Sequence, residues 1–155
     1  MEPLIEVKDL SQEFHLTKGL LQSLRLEKGR IGKQDKVVHA VNQVSFQMEK
    51  GEVFSLVGES GCGKSTTART IIRLLEPSGG QVLYKGTDIS HLSAHELLPY
   101  RKSMQMIFQD PYASLNPRQR VEEIIMEPML FHGIAKDRKD AREQCMDILN
   151  RVGQR

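Results

Sequence analysis

The sequence has no apolar run approaching the roughly 20 residues needed to cross a bilayer. Its first ten residues carry Glu2, Glu6, Lys8 and Asp9 where a signal peptide would have an apolar core. Both absences predict a chain that is neither secreted nor membrane-spanning by itself. Cysteine is scarce: Cys62 and Cys145 are the two present. They do not make a metal-binding spacing, and Cys62 falls in a loop that must stay open for a ligand, so a structural disulfide is not expected and a reducing, cytoplasmic setting is. An excess of one charge is also missing. Twenty-two Lys and Arg stand against 20 Asp and Glu, a formal charge of +2, which gives no electrostatic case for a nucleic-acid partner. No internal repeat is visible. What is there, 155 residues with 39% apolar content and 12 glycines, suits one soluble domain with a buried core.

Ile5 and Val7 alternate with Glu6 and Lys8, which predicts a short strand, and Phe14 follows shortly after. The stretch 17–37 reads as a basic insertion: between Thr17 and Lys36 lie Lys18, Arg25, Lys28, Arg30, Lys33 and Lys36 against Glu27 and Asp35, with Gly19, Gly29 and Gly32 interrupting any helix. It is either a solvated loop or a short helix whose Leu20, Leu21 and Leu24 touch a membrane or a partner, and the glycines favour the loop. Val44, Phe46 and Met48 form a strand, Lys50-Gly51-Glu52 a turn, and Val53 to Val57 a second strand, so a hairpin is expected to run straight into the glycine-rich loop at Gly58. Ala68, Ile71, Ile72 and Leu75 recur at helical spacing until Pro77, predicting a helix from Lys64 to about Leu75. Ser78-Gly79-Gly80 turns into a strand at Val82-Leu83-Tyr84, and Lys85-Gly86 leads on to Ile89. Ser93 and Glu96 have the spacing of a capping box. Met104 to Phe108 is short enough for a buried strand, and a loop rich in proline and asparagine runs to Pro117. Two helices close the chain. One carries Val121, Ile124 and Ile125, with Pro128 ending or kinking it; the other has an apolar face of Ala141, Cys145, Ile148, Leu149 and Val152, with Gly153 as its stop.

Gly58-Glu59-Ser60-Gly61-Cys62-Gly63-Lys64-Ser65 fits G-x-x-x-x-G-K-[ST] in full. The glycines let consecutive backbone N–H groups converge on phosphates without a side chain in the way. The helix beginning near Lys64 adds unpaired N–H groups and the positive end of its dipole. Lys64 is suited to the β and γ phosphates, the Ser65 hydroxyl to magnesium, and Thr66 to a contact near the α phosphate. A nucleoside triphosphate with Mg2+ is the implied ligand. Cys62 is either a small residue that serves through its backbone N–H or a reactive thiol, and alkylation there is expected to impair nucleotide binding.

Two similar-looking patterns carry other meanings. Ser78-Gly79-Gly80-Gln81 looks like a signature that contacts ATP across a dimer, but such a signature must open a helix, and Gln81 leads into the alternation of a strand. Met104 to Asp110 looks like a strand ending in a magnesium-binding aspartate, yet Gln109 intervenes. Its carboxamide oxygen is suited to magnesium or to the attacking water, and Asp110 beside Pro111 to starting a turn.

Together with Ile107-Phe108-Gln109-Asp110-Pro111-Tyr112-Ala113-Ser114-Leu115-Asn116-Pro117-Arg118 and the hairpin from Ser78 to Ile89, the P-loop makes the chain resemble the ATP-binding subunits of ABC transporters, in the oligopeptide/dipeptide importer branch. The resemblance spans nearly the whole chain. It implies an α/β fold, a P-loop NTPase core with an antiparallel β subdomain, in which residues 1–155 are the N-terminal part of the nucleotide-binding domain. It implies that Gln109 couples the nucleotide site to a transmembrane partner, and that Phe14 stacks on adenine unless it is a core residue. It further implies transmembrane permease subunits and a second ATP-binding subunit as partners, and a peripheral place on the cytoplasmic face of the membrane. After Arg155 the sequence has no second glycine signature, no strand ending in Asp-Glu and no switch histidine; His132 stands in no such context. An incomplete domain is therefore expected, with poor nucleotide binding and hardly any hydrolysis on its own. Two other readings stay open: a non-catalytic nucleotide-binding module, and a soluble P-loop kinase, which would be expected to show an arginine-rich lid. A GTPase would need Asn-Lys-x-Asp, and the sequence has none.

Overall fold

The computed structural model describes residues 2–16, 24–27, 30–33, 36–110 and 115–153. They fall into two compact units, Met1–Arg101 and Lys102–Arg155. The first unit holds β1 (Ile5–Leu16), β2 (Leu24–Glu27), β3 (Arg30–Lys33), β4 (Lys36–Met48), α1 (Lys64–Ile71), β5 (Gly79–Tyr84), β6 (Thr87–Asp88) and α2 (Ala94–Arg101). The second holds α3 (Val121–Phe131) and α4 (Arg138–Arg151).

The first unit is built on an antiparallel sheet in the order β4-β1-β5-β6. Ile5 faces Met48 at one end of the β1–β4 pairing and Leu16 faces Lys36 at the other, while Val7 faces Val82 on β5. One face of these strands is sealed: Val7, Leu10, Val41 and Val82 are buried, as are Ile71, Ile89 and Leu97 from the surrounding elements. β1 is longer than the alternation at Ile5–Val7 predicts because it is bulged. Asp9 takes φ 47, and its amide and carboxylate both bond the Ser45 hydroxyl, at 2.8 and 3.1 Å. Such bulges break the two-residue period of the sequence, while letting the strand twist and continue.

Several expected elements take a different form. Strand β4 pairs with β1, not with Val53–Val57, which enters no ladder; Phe54 instead stacks on Phe46, with ring centroids 4.6 Å apart. Met104–Phe108 likewise enters no ladder. Val53, Val57 and Ile107 are 91, 93 and 97% exposed. Apolar runs of this kind are suited to strands buried on both faces, and no neighbouring strand flanks either run among the described residues. In the basic insertion, residues 24–27 and 30–33 form the β2–β3 hairpin, so Leu24 sits on a strand and not on a helix; Leu20 and Leu21 lie outside the described residues. The alternation Leu24-Arg25-Leu26-Glu27 has the period of a strand. Residues 111–114 of the proline-marked loop also lie outside the described residues.

Helix α1 stops at Ile71, a turn before the expected Leu75. Arg73 adopts φ 58, and its buried guanidinium donates to the carbonyls of Ile89, Leu75 and Leu92 at 2.9, 3.4 and 3.2 Å. Arg101 donates to the carbonyls of Ile72 and Arg73, both at 2.7 Å. Arg101 thus satisfies two carbonyls just past the end of α1, and Arg73 ties that end to the carbonyls of Ile89 and Leu92.

The capping box forms as expected. Ser93 Oγ donates to Glu96 Oε2 at 2.6 Å and the Ser93 amide does so at 2.9 Å, opening α2. These bonds hold the Glu96 carboxyl below its ordinary value.

In the second unit, α3 runs through Pro128, which does not end it: Met126 and Met129 pack with Ala135, Ala141 and Cys145, and Ile125 and Leu149 join them. Ile148 and Val152, expected on the apolar face of α4, are 39 and 65% exposed. The core uses every fourth position, Ala141, Cys145 and Leu149, and the stripe is therefore narrower than the sequence suggests. Asp137 caps α4 by accepting from the amides of Lys139 and Asp140 at 2.8 and 2.9 Å. Gly153, at φ 78, follows its end.

Candidate functional site

The loop Gly58–Gly63 joins the segment after β4 to the first turn of α1. Gly63 is the N-cap, with φ 96. Its requirement for glycine is double: the left-handed backbone excludes most side chains, and a Cβ there would drive into the Ala40 carbonyl oxygen and touch Val41 Cγ2. The start of α1 is therefore seated directly on β4. This contact involves backbone that no motif marks, and sequence reading missed Ala40 and Val41 for that reason.

The first turn of α1 leaves donors free. The amides of Lys64, Ser65 and Thr66 have no acceptor among the described residues, while the Thr67 amide and hydroxyl both bond the Gly63 carbonyl, at 2.8 and 3.0 Å. Three unpaired amides and the positive end of the helix dipole open onto an exposed loop, an arrangement that binds anions. Lys64 Nζ crosses the loop and donates to the carbonyls of Gly58 and Glu59, at 2.8 and 2.6 Å, with Cys62 Sγ 3.5 Å away. A cation is thus held over the same loop as the free amides. Ser65 is exposed, and its hydroxyl makes no hydrogen bond among the described residues. It fits a hard cation as an oxygen ligand, with phosphate oxygens and water supplying the other ligands.

The structure brings Gly58, Glu59, Ser60, Gly61, Cys62, Gly63, Lys64, Ser65 and Thr66 into one continuous surface. Phe14 and Gln109 are the two other expected site residues. Phe14 stands on β1 opposite Val38 and is 38% exposed, so it is not a core residue. Gln109 is exposed in the second unit, outside any helix or ladder. Gln81, set aside as a dimer signature, does lie on β5, where its amide bonds Asp88 at 2.9 Å. Burial raises the Asp88 carboxyl, but bonds from Ser90 and Gln81 outweigh it and hold it below its ordinary value.

Cys62 is exposed and free. A group attached to Sγ, 3.5 Å from Lys64 Nζ, would displace the lysine from the loop. Alkylation with N-ethylmaleimide is expected to lower ATP affinity at least tenfold, and prior ATP should protect the thiol. Equal affinity before and after full modification would show that Cys62 contributes only its backbone.

Known proteins are similar to this chain in sequence and in fold. The family model described as ABC transporter matches residues 41–155. Over 153 residues, 98% of the chain, it is 45% identical to the oligopeptide transport ATP-binding protein AppF of Bacillus subtilis, of which it covers 43%. It is also 45% identical, over 152 residues, to the glutathione import ATP-binding protein GsiA of Escherichia coli, of which it covers 23%. The chain thus spans less than half the length of these relatives. The solved dimer of MJ0796, a bacterial ABC transporter cassette, superimposes with a TM-score of 0.68 at 23% identity, over 94% of this chain and 56% of that one, which shows the fold. CbiO1 from Clostridium perfringens, part of an ABC transporter complex, matches over 99% of this chain with a TM-score of 0.63. The chain belongs to the ABC transporter family, within its ATP-binding cassette.

Proposed function

We propose that the chain binds ATP with Mg2+ and serves as part of an ATPase that energises the import of oligopeptides or dipeptides. The observation that carries this reading is the loop at Gly58–Ser65, where three free amides, the Lys64 ammonium and the Ser65 hydroxyl share one exposed helix N-terminus. The peptide substrate class is supported by the likeness to the oligopeptide transport and glutathione import proteins. Glutathione is itself a small peptide.

In this reading Lys64 offsets charge on the β and γ phosphates, the loop amides orient the chain of phosphates, and Ser65 is one ligand of the cation. Magnesium, when bound, neutralises charge on the phosphate oxygens. Gln109 serves as a further cation or water contact and as the link to transmembrane permease subunits, and Phe14 stacks on adenine. A second ATP-binding subunit completes the assembly, which sits on the cytoplasmic face of the membrane. Among the described residues no helix is long and apolar enough to cross a membrane, so attachment through permease subunits is the arrangement proposed.

The test is the dependence of ATP affinity on magnesium. In the native chain Mg2+ should tighten ATP binding, and in Ser65→Ala that increment should shrink roughly tenfold, about 1.4 kcal/mol, with magnesium-free binding little changed. If the native chain binds ATP no better than a nucleoside without phosphates, the reading fails.

A further inference from the structure

Helix α1 carries the free amides of the phosphate site, and its sequence gives it little of its own to hold a fixed pose. It has eight residues, Lys64–Ile71, and is about 12 Å long, short of the length at which a helix is stable alone. Its buried residues are Thr67, Thr70 and Ile71, with one large apolar side chain among the three. Both threonine hydroxyls turn back on the helix, Thr67 Oγ1 to the Gly63 carbonyl and Thr70 Oγ1 to the Thr66 carbonyl, at 3.0 and 2.9 Å. Neither ties α1 to another element, so its pose depends on how its two ends are moored.

At the first end Gly63 sits against the Ala40 carbonyl of β4. At the second, the carbonyls of Ala68, Arg69 and Thr70 accept from the amides of Ile72, Leu74 and Arg73, at 3.3, 2.8 and 3.0 Å. Beyond them Arg101 spreads its two terminal nitrogens over successive carbonyls, those of Ile72 and Arg73, each at 2.7 Å. The Arg73 side chain then fastens this end to the sheet, through Nε and the Ile89 carbonyl. That residue is itself held: the Ile89 amide donates to the Val82 carbonyl of β5 at 2.9 Å, and the next hydroxyl, of Ser90, accepts from the Val82 amide at 2.7 Å. Among the described residues neither arginine makes an ion pair. Both charges are directed at carbonyls around the negative end of the α1 dipole, where a cation is favoured.

We propose that Arg101, with Arg73, is a positioning residue of the phosphate site, acting through α1 and touching no phosphate. The proposal rests on the nucleotide reading of the loop. With Gly63 as the pivot, a swing of about 1 Å at the far end of α1 turns its axis by about 5°. The amides of Lys64, Ser65 and Thr66 turn with it, away from their aim at the phosphates. Loss of the fork should therefore weaken a ligand more, the more phosphates it presents.

The test compares ATP with AMP in the full chain, by displacement of a fluorescent ATP analogue. Arg101→Ala should weaken ATP roughly tenfold and AMP at most about threefold. Arg101→Met keeps the apolar stem without the charge or the fork, and should behave as Arg101→Ala does. A merely structural role would lower the folded fraction and weaken both ligands by the same factor. An unchanged ratio of ATP to AMP affinity in either variant therefore overturns the positioning role, while native ATP binding leaves the nucleotide reading standing. If the native chain binds ATP no better than a nucleoside, both fall together. Coupling between two ends of one helix is reciprocal, so the native chain supplies a second measure that decides the matter should the variants lose their fold by circular dichroism. Saturation with ATP should shift the Nε–H resonances of Arg73 and Arg101, about one helix length from the phosphates; resonances that stay in place overturn the proposal.

Discussion

Substitution of Lys64 by Ala is expected to abolish measurable ATP binding in titration calorimetry, while the urea unfolding midpoint of the chain should stay close to native. Lys64 is the only cationic side chain in the loop 58–65, and its Nζ is held by the carbonyls of Gly58 and Glu59 at the mouth of that loop. A triphosphate brings several negative charges to a site whose remaining donors are neutral amides and hydroxyls. Removing one member of a charged, hydrogen-bonded contact of this kind weakens binding by about 3 kcal/mol or more, at least a hundredfold. Stability responds much less, because the lysine's two bonds are made to an exposed loop and water replaces them. Lys64→Arg is a useful companion. It keeps the charge but replaces a compact ammonium with a planar fork on a longer stem, so it should recover only part of the affinity. A Lys64→Ala chain that binds ATP with native affinity would remove the loop from the nucleotide site altogether.

The glycine-rich loop was legible from the sequence because its shape depends on local chain geometry. Glycines at fixed offsets, a lysine and a hydroxyl specify a loop and a helix start with little help from the rest of the molecule, and Gly63, Lys64 and Ser65 stand where the motif puts them. The capping box at Ser93 and Glu96 was legible for the same reason. What the sequence concealed depends on distant partners. Val53–Val57 has the composition of a strand, but a strand exists only in a ladder, and among the described residues this segment has none. The early stop of α1 arises from Arg101, 28 residues further on than Arg73, whose carbonyl it takes. The bulge at Asp9 is fixed by Ser45, 36 residues away. Gln12 is buried and its Oε1 has no hydrogen-bond partner among the described residues, a loss that no local pattern foretells. Phe14 is intermediate: its place on a strand follows from its neighbours, whereas its exposure opposite Val38 does not.

The largest effect on stability is expected at Gly80, where the sequence suggests only an ordinary turn. Gly80 lies on β5 with φ 79, and a Cβ there would overlap the carbonyl of Asp9 and the carbonyl oxygen of Lys8. All of these are backbone atoms, and they cannot swing aside as a flexible side chain would. Asp9 is pinned by Ser45 through its amide and carboxylate, and its carbonyl accepts from the Ser11 hydroxyl at 3.3 Å. Moving it would disturb the pairing of β1 with both β4 and β5. Gly80→Ala therefore combines a strained left-handed backbone, about 1 kcal/mol, with an overlap that forces a backbone shift, about 1–3 kcal/mol. A total near 3 kcal/mol is a large fraction of the about 5–15 kcal/mol that keeps a domain folded. Gly51→Ala separates the two contributions. Gly51 has φ 85 in the Glu49–Glu52 turn, but nothing lies within 4 Å of its would-be Cβ, so that variant should lose only about 1 kcal/mol. Urea denaturation of the two variants beside the native chain gives the comparison. If Gly80→Ala were no less stable than Gly51→Ala, β1 and β5 would not approach as closely as the structure shows, and the seating of the sheet beneath α1 would need to be drawn again.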